Sequence, residues 1–183
     1  GCYLYTEDGR KILDFASGIA CNALGHCHPK IIAAAEKQLH TLIHAGHNVL
    51  YYEPYTTLVE KLVEKTGGKY KVYFSNAGAE ANEGAMKLAK YATHRPVIIS
   101  MKNAFHGRTM ATATITTSNA AYRKYYEPMM PSVYFVEYPY LFRTPYKMED
   151  GKCPKEYMTQ FDDLFKKVVD PSMVAGIIME PSQ

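Results

Sequence analysis

Short blocks of consecutive apolar residues alternate along this chain with longer stretches in which apolar residues recur every three to four positions. Val97-Ile98-Ile99-Ser100, Val133-Tyr134-Phe135-Val136 and Val174-Ala175-Gly176-Ile177-Ile178-Met179 are rich in β-branched and aromatic residues. Blocks of that length and composition read as strands covered on both faces. Lys71-Val72-Tyr73-Phe74-Ser75 reads as a further strand. Ile12-Leu13-Asp14-Phe15 reads as a short one after the Asp8-Gly9 turn.

The intervening stretches have helical period. A helix is predicted from Pro29, because proline suits the first helical turn, with Ile31, Ala35, Leu39 and Leu42 as its apolar stripe. A second starts near Pro54, carries Tyr55, Leu58, Val59, Leu62 and Val63 on one face, and stops at Gly67-Gly68. Between them and the first strand, Ser17 to Gly25 reads as a polar, glycine-punctuated loop. After the tight turn Asn76-Ala77-Gly78-Ala79, a helix is predicted from Glu80 to Tyr91, supported by an i,i+4 pair of Glu83 and Lys87. Met110 to Ala113 reads as a short helical stretch, Tyr138 to Pro154 as irregular, and Gln160 to Val169 as the last helix. Strands alternating with helices predict an α/β fold with a mostly parallel sheet covered on both faces. The final strand runs into Glu180-Pro181-Ser182-Gln183 with no covering helix after it. A parallel strand without its crossover is half a unit, so the chain is expected to belong to something longer.

Composition narrows the function classes. The chain has 183 residues, 47% hydrophobic and 21% charged, which suits a packed core and excludes a disordered tail. No apolar run approaches the ~20 residues of a spanning helix, and no secretory signal is visible at the start. With 21 basic and 18 acidic residues the net charge is only +3, and the basic clusters are no longer than pairs such as Lys166-Lys167. Nucleic acid and membrane are therefore not expected partners. Tyr51-Tyr52, Tyr125-Tyr126 and Tyr138 lack basic interleaving and read as core and interface packing. Cys2, Cys21, Cys27 and Cys153 form no CxxC pair. They read as reduced, structural cysteines, and His26-Cys27-His28 has no second ligand cluster, so no metal is expected.

Chemistry concentrates at three strand ends. A strand, a small-residue turn and a helix make an anion site, because the first helical N–H groups lack internal partners and the dipole adds positive charge. Ser75 to Ala79 has the small residues that let a phosphate reach the backbone, although Ser75 and Asn76, read alone, are more often a helix cap than a phosphate site. Glu80 and Asn82 occupy the first turn. Phe105-His106 follows the next strand, where open α/β sheets bind ligands. Phe105 is suited either to stack on a planar ligand or to fill core, and Arg108 either to pair with a carboxylate or to face solvent. Glu180 follows the last strand, as a site carboxylate or a loop cap.

The motifs Leu13-Asp14-Phe15-Ala16-Ser17-Gly18-Ile19-Ala20 with Asn22, Leu24-Gly25-His26-Cys27-His28-Pro29, Phe74-Ser75-Asn76-Ala77-Gly78-Ala79-Glu80-Ala81-Asn82-Glu83, Phe105-His106-Gly107-Arg108-Thr109 and Glu180-Pro181 occur in order over nearly the whole chain. The chain thus resembles the amino-terminal part of the class III aminotransferases of ornithine, acetylornithine and 4-aminobutyrate type. Tyr122-Arg123 and the run Phe135 to Tyr140 lean toward the 4-aminobutyrate type. The resemblance implies a fold type I pyridoxal-phosphate transferase: a three-layer α/β/α large domain with a mostly parallel sheet, incomplete in this chain. It implies an amino-terminal segment and interface helix region over 1–50 and the first part of the cofactor-binding domain over 51–183.

By the same resemblance, Ser75, Asn76, Gly78, Ala79, Glu80, Asn82, Phe105, His106 and Gly107 bind or support pyridoxal 5'-phosphate, with the Phe105 ring stacked on the pyridine. Ser17, Ile19, Asn22 and Arg108 line the substrate entrance, and Glu180 is the catalytic candidate, close to the substrate and able to pair with a family arginine. The expected partners are an amino donor and a 2-oxo acid such as 2-oxoglutarate, in a cytoplasmic or mitochondrial-matrix homodimer. The family's cofactor-bearing lysine, the aspartate for the pyridine nitrogen and a threonine lent by the second subunit match nothing here. Lys87, Lys90 and Lys102 lie outside the lysine motif. The 183 residues alone are expected to give no turnover, and a non-catalytic anion-binding or dimerising fragment or relative is the alternative.

Overall fold

The computed structural model describes residues 1–148 and 152–182. They fall into two compact units, Gly1–Val72 and Tyr73–Gln183.

In the first unit, β1 (Tyr3–Tyr5) pairs antiparallel with β2 (Lys11–Leu13) around a turn in which Gly9 takes φ 82°. Three extended residues give little sequence signal, and β1 is an addition to the predicted elements. The loop expected from Ser17 contains a short left-handed segment instead, α1 (Ser17–Ala20), with φ 48°, 62°, 61° and 61°. Such a conformation is costly for a β-branched residue like Ile19. Asp14 holds its entry. The Asp14 carboxylate accepts the N–H groups of Ala16 and Ser17 at 2.9 Å each and meets His26 Nε2 at 2.7 Å. His26, weighed above as a metal ligand, makes this hydrogen bond to Asp14. The Ser17 amide, followed by the imidazole, keeps the Asp14 carboxyl below the usual carboxylate range. α2 (Pro29–Thr41) starts at its proline and α3 (Glu53–Lys65) one residue before Pro54, close to the predicted starts, and Gly67 and Gly68 take φ 70° and 73° just past the end of α3. No described residue of this unit is buried.

The second unit is built on a parallel sheet of order β4-β3-β5, made of β3 (Val97–Met101), β4 (Val133–Val136) and β5 (Val174–Ile178). The central strand β3 is buried at every position. Its alternate side chains enter two cores. Val97, Ile99 and Met101 pack with Phe161, Leu164 and Phe165 of α6 (Glu156–Lys167). Ile98 packs with Met86 of α4 (Gly78–Thr93) and Ile115 of α5 (Met110–Ile115). This is the expected three-layer α/β/α arrangement, and double burial is why β3 is apolar at every position but Ser100, whose hydroxyl donates to the Ile115 carbonyl at 2.9 Å.

Local expectations shift in several places. Residues 71–75 form no strand. Glu83 does not pair with Lys87, since its carboxylate accepts the Thr109 hydroxyl at 2.6 Å. α6 begins at Glu156, earlier than predicted, and the irregular reading of 138–154 includes 149–151, which lie outside the described residues. The cysteines are unpaired but all exposed, so none fills a core. Tyr51 and Tyr125 are 84% and 87% exposed, standing in irregular segments rather than in the layers.

Candidate functional site

The amino terminus of α4 presents backbone donors. Ala77, the N-cap, is extended (φ −150°, ψ 162°) and makes no side-chain cap bond. Among the described residues no protein acceptor meets the N–H of Gly78 or Ala79. One neighbouring amide is filled: Asn76 N–H donates to Glu80 Oε2 at 2.7 Å. Ser75 Oγ turns to the Ala77 carbonyl at 3.3 Å. Ser75, Asn76 and the Glu80 carboxylate therefore shape the turn, and the free donors of the first helical turn include the N–H groups of Gly78 and Ala79.

The loop after β3 comes directly against this end. Gly107 has φ 133°, and a Cβ there would lie 2.7 Å from Ala79 Cβ and 2.6 Å from Thr112 Oγ1. Only glycine permits both that backbone and that approach. The loop is tied on every side by side chains. Asn82 Nδ2 donates to the His106 carbonyl at 2.7 Å. Thr116 Oγ1 accepts His106 N–H at 2.9 Å and donates to the Gly107 carbonyl at 3.1 Å. Glu180 Oε1 accepts Phe105 N–H at 3.0 Å. The Phe105 and Tyr122 rings form a T-shaped pair with centroids 5.2 Å apart, and Phe105 remains 41% exposed, so protein covers it only in part.

His106 is buried, and its Nε2 has no hydrogen-bond partner. Burial lowers its pKa below the ordinary 6.5, against an opposing pull from the Glu180 charge, so the ring is neutral near pH 7. Gly78, Ala79, Asn82, Phe105, His106, Gly107 and Glu180 thus converge at the carboxyl end of the sheet, where open α/β sheets bind ligands. Arg108 is exposed and makes no ion pair among the described residues. Ser17, Ile19 and Asn22 belong to the other unit, Gly1–Val72. Sequence reasoning missed Thr116 and Tyr138. Thr116 lies in a small-residue run without a motif, and Tyr138 was read as packing. The Tyr138 hydroxyl contacts the Glu180 backbone, and Tyr138 and Glu180 line a cavity of about 930 Å³ at the ends of β4 and β5.

A free anion-binding helix end, a glycine cradle that a Cβ would fill and an open aromatic face suit a planar phosphorylated ligand. Among the described residues no cluster of three His, Cys, Asp or Glu side chains could hold a metal, and no helix is long and apolar enough to cross a membrane.

The family model of class III aminotransferases matches residues 1–183. The "Probable 4-aminobutyrate aminotransferase" of Bacillus subtilis (strain 168) is 39% identical over all of this chain and 42% of its own length. An acetylornithine aminotransferase of Gloeobacter violaceus is 44% identical over all of this chain and 41% of its own length. The solved taurine:2-oxoglutarate aminotransferase of Bifidobacterium kashiwanohense, in complex with PLP and glutamate, superposes with a TM-score of 0.88 at 27% identity. That superposition covers 98% of this chain and 41% of the other. The present chain spans about two fifths of the length of these relatives. Its fold is that of the fold type I pyridoxal-phosphate transaminases, and the chain belongs to the class III aminotransferase family.

Proposed function

We propose that the full-length protein is a pyridoxal-phosphate-dependent aminotransferase. It moves an amino group from an amine or ω-amino acid of 4-aminobutyrate, ornithine or acetylornithine type to a 2-oxo acid such as 2-oxoglutarate. The observation that carries this reading is the pair of free amides at Gly78 and Ala79, set against the Gly107 cradle and the Phe105 ring. The α4 dipole and those amides hold the phosphate. Phe105 lays its ring against the pyridine face. Asn82 and Thr116 fix the backbone of His106-Gly107, so the wall of the site is set before ligand enters. Arg108 is the exposed cation suited to a substrate carboxylate. Bound there, pyridoxal phosphate supplies the electron sink that amino-group transfer requires.

The family affiliation supports a homodimer, with 1–50 as the amino-terminal interface segment, holding Ser17, Ile19 and Asn22 at the substrate entrance, and 51–183 as the first part of the cofactor-binding domain. The bacterial relatives support a cytoplasmic location. Purified full-length protein, supplied with pyridoxal phosphate and 2-oxoglutarate, is expected to form glutamate with at least one of 4-aminobutyrate, ornithine and N-acetylornithine. Cofactor binding with no glutamate from any of the three would contradict the proposed substrate class.

A further inference from the structure

Two residues beside the proposed cofactor site are joined in a way that the general scheme does not require. The Tyr138 hydroxyl donates to the Glu180 carbonyl at 3.1 Å and accepts the Glu180 N–H at 2.6 Å, so one phenol grips both polar groups of a single residue's backbone. The side chain of that residue reaches on. Glu180 Oε1 accepts the Phe105 N–H at 3.0 Å, a bond strengthened by the carboxylate charge. Tyr138 follows β4, Glu180 follows β5 and Phe105 follows β3, so the three contacts tie together the carboxyl ends of all three parallel strands. The segment so held carries Phe105, which is 41% exposed and whose ring meets Tyr122 in a T-shaped contact. An aromatic with an uncovered face gains little orientation from packing, and its backbone must supply it.

We infer that Tyr138 and Glu180 form a positioning latch that sets the Phe105 ring for its planar ligand. The inference rests on the cofactor reading above. Neither residue is a catalytic group in this role, because both act through the Phe105 backbone. Burial raises the Tyr138 pKa, which keeps the phenol protonated and able to donate.

The full-length protein is used, with pyridoxal 5'-phosphate as the probe. Hydrogen exchange at the Phe105 amide is measured without cofactor. Visible circular dichroism of the bound cofactor and its dissociation constant are measured with it. Tyr138→Phe and Glu180→Ala are each expected to speed Phe105 exchange and weaken cofactor binding by about tenfold, with a reduced dichroic band. The double variant is expected to be no worse than Glu180→Ala alone, because the two act in series. Glu180→Gln keeps an oxygen acceptor and is expected to restore most of both signals. Parental exchange and dichroism in Tyr138→Phe, or additive losses in the double variant, would overturn the latch. Absence of any cofactor band from the parent protein would overturn the functional reading, while the exchange rates, which need no cofactor, would still decide whether Phe105 is held this way.

Discussion

His106 carries the most distinctive electrostatics of the site. It is 6% exposed, its Nε2 is unpartnered, and burial depresses its pKa despite the nearby Glu180 charge. Below the ordinary value of 6.5 the unfolded chain takes up a proton that the folded ring refuses, so folding stability from this residue is fully present above 6.5 and is lost as pH falls toward the depressed value. The melting midpoint is expected to drop between about pH 7.5 and 5.5, and His106→Gln to flatten that slope. Melting curves across the interval check it, and an unchanged slope in the variant would contradict the buried, neutral assignment. Asp14 behaves in the opposite range. Its pKa is lowered, so its hold on Ser17 persists above the ordinary carboxylate value and fails only as pH falls through the depressed one.

At the scale of elements, the loop between β3 and α5 is held by side chains of its neighbours. Thr116, fully buried at the end of α5, serves two backbone groups through one hydroxyl. Thr116→Val keeps the shape and strands a buried donor and a buried acceptor, so it is expected to cost about 2–4 kcal/mol in urea unfolding. A cost near zero would mean that water replaces the hydroxyl. The elements themselves were largely legible. β3, β4 and β5 announced themselves as short β-branched runs, and α2, α3 and α4 by apolar spacing with Pro or Gly at their ends. The ties were not. Asn82 lies 24 residues from the His106 carbonyl it holds, and Tyr138 lies 42 from Glu180. No local pattern encodes partners that only the folded sheet brings together. β1 was missed because three residues carry too little period, and the left-handed Ser17–Ala20 because only its glycine signals positive φ. Lys71–Ser75 has strand-like composition yet forms no strand, since β-propensity depends on tertiary setting more than on the residues themselves.

For the molecule as a whole, the parallel sheet gathers α4, the Phe105 loop and Glu180 at its carboxyl end, and the proposed function depends on the α4 amides there being free for a phosphate. Backbone donors resist mutation, but Gly78 offers an exception. It is the first residue of α4, where proline is favoured; Ala77 before it is already extended, as a residue preceding proline must be; and a Cβ at Gly78 meets nothing within 4 Å. Gly78→Pro therefore removes one N–H and little else. The decisive measurement is the affinity of the full-length parent and of this variant for pyridoxal 5'-phosphate and for pyridoxal, which lacks the phosphate. The expected result is a loss of at least about tenfold for the phosphorylated ligand, with pyridoxal changed by less than about twofold. Equal losses for both ligands, or none for either, would contradict phosphate capture by this helix.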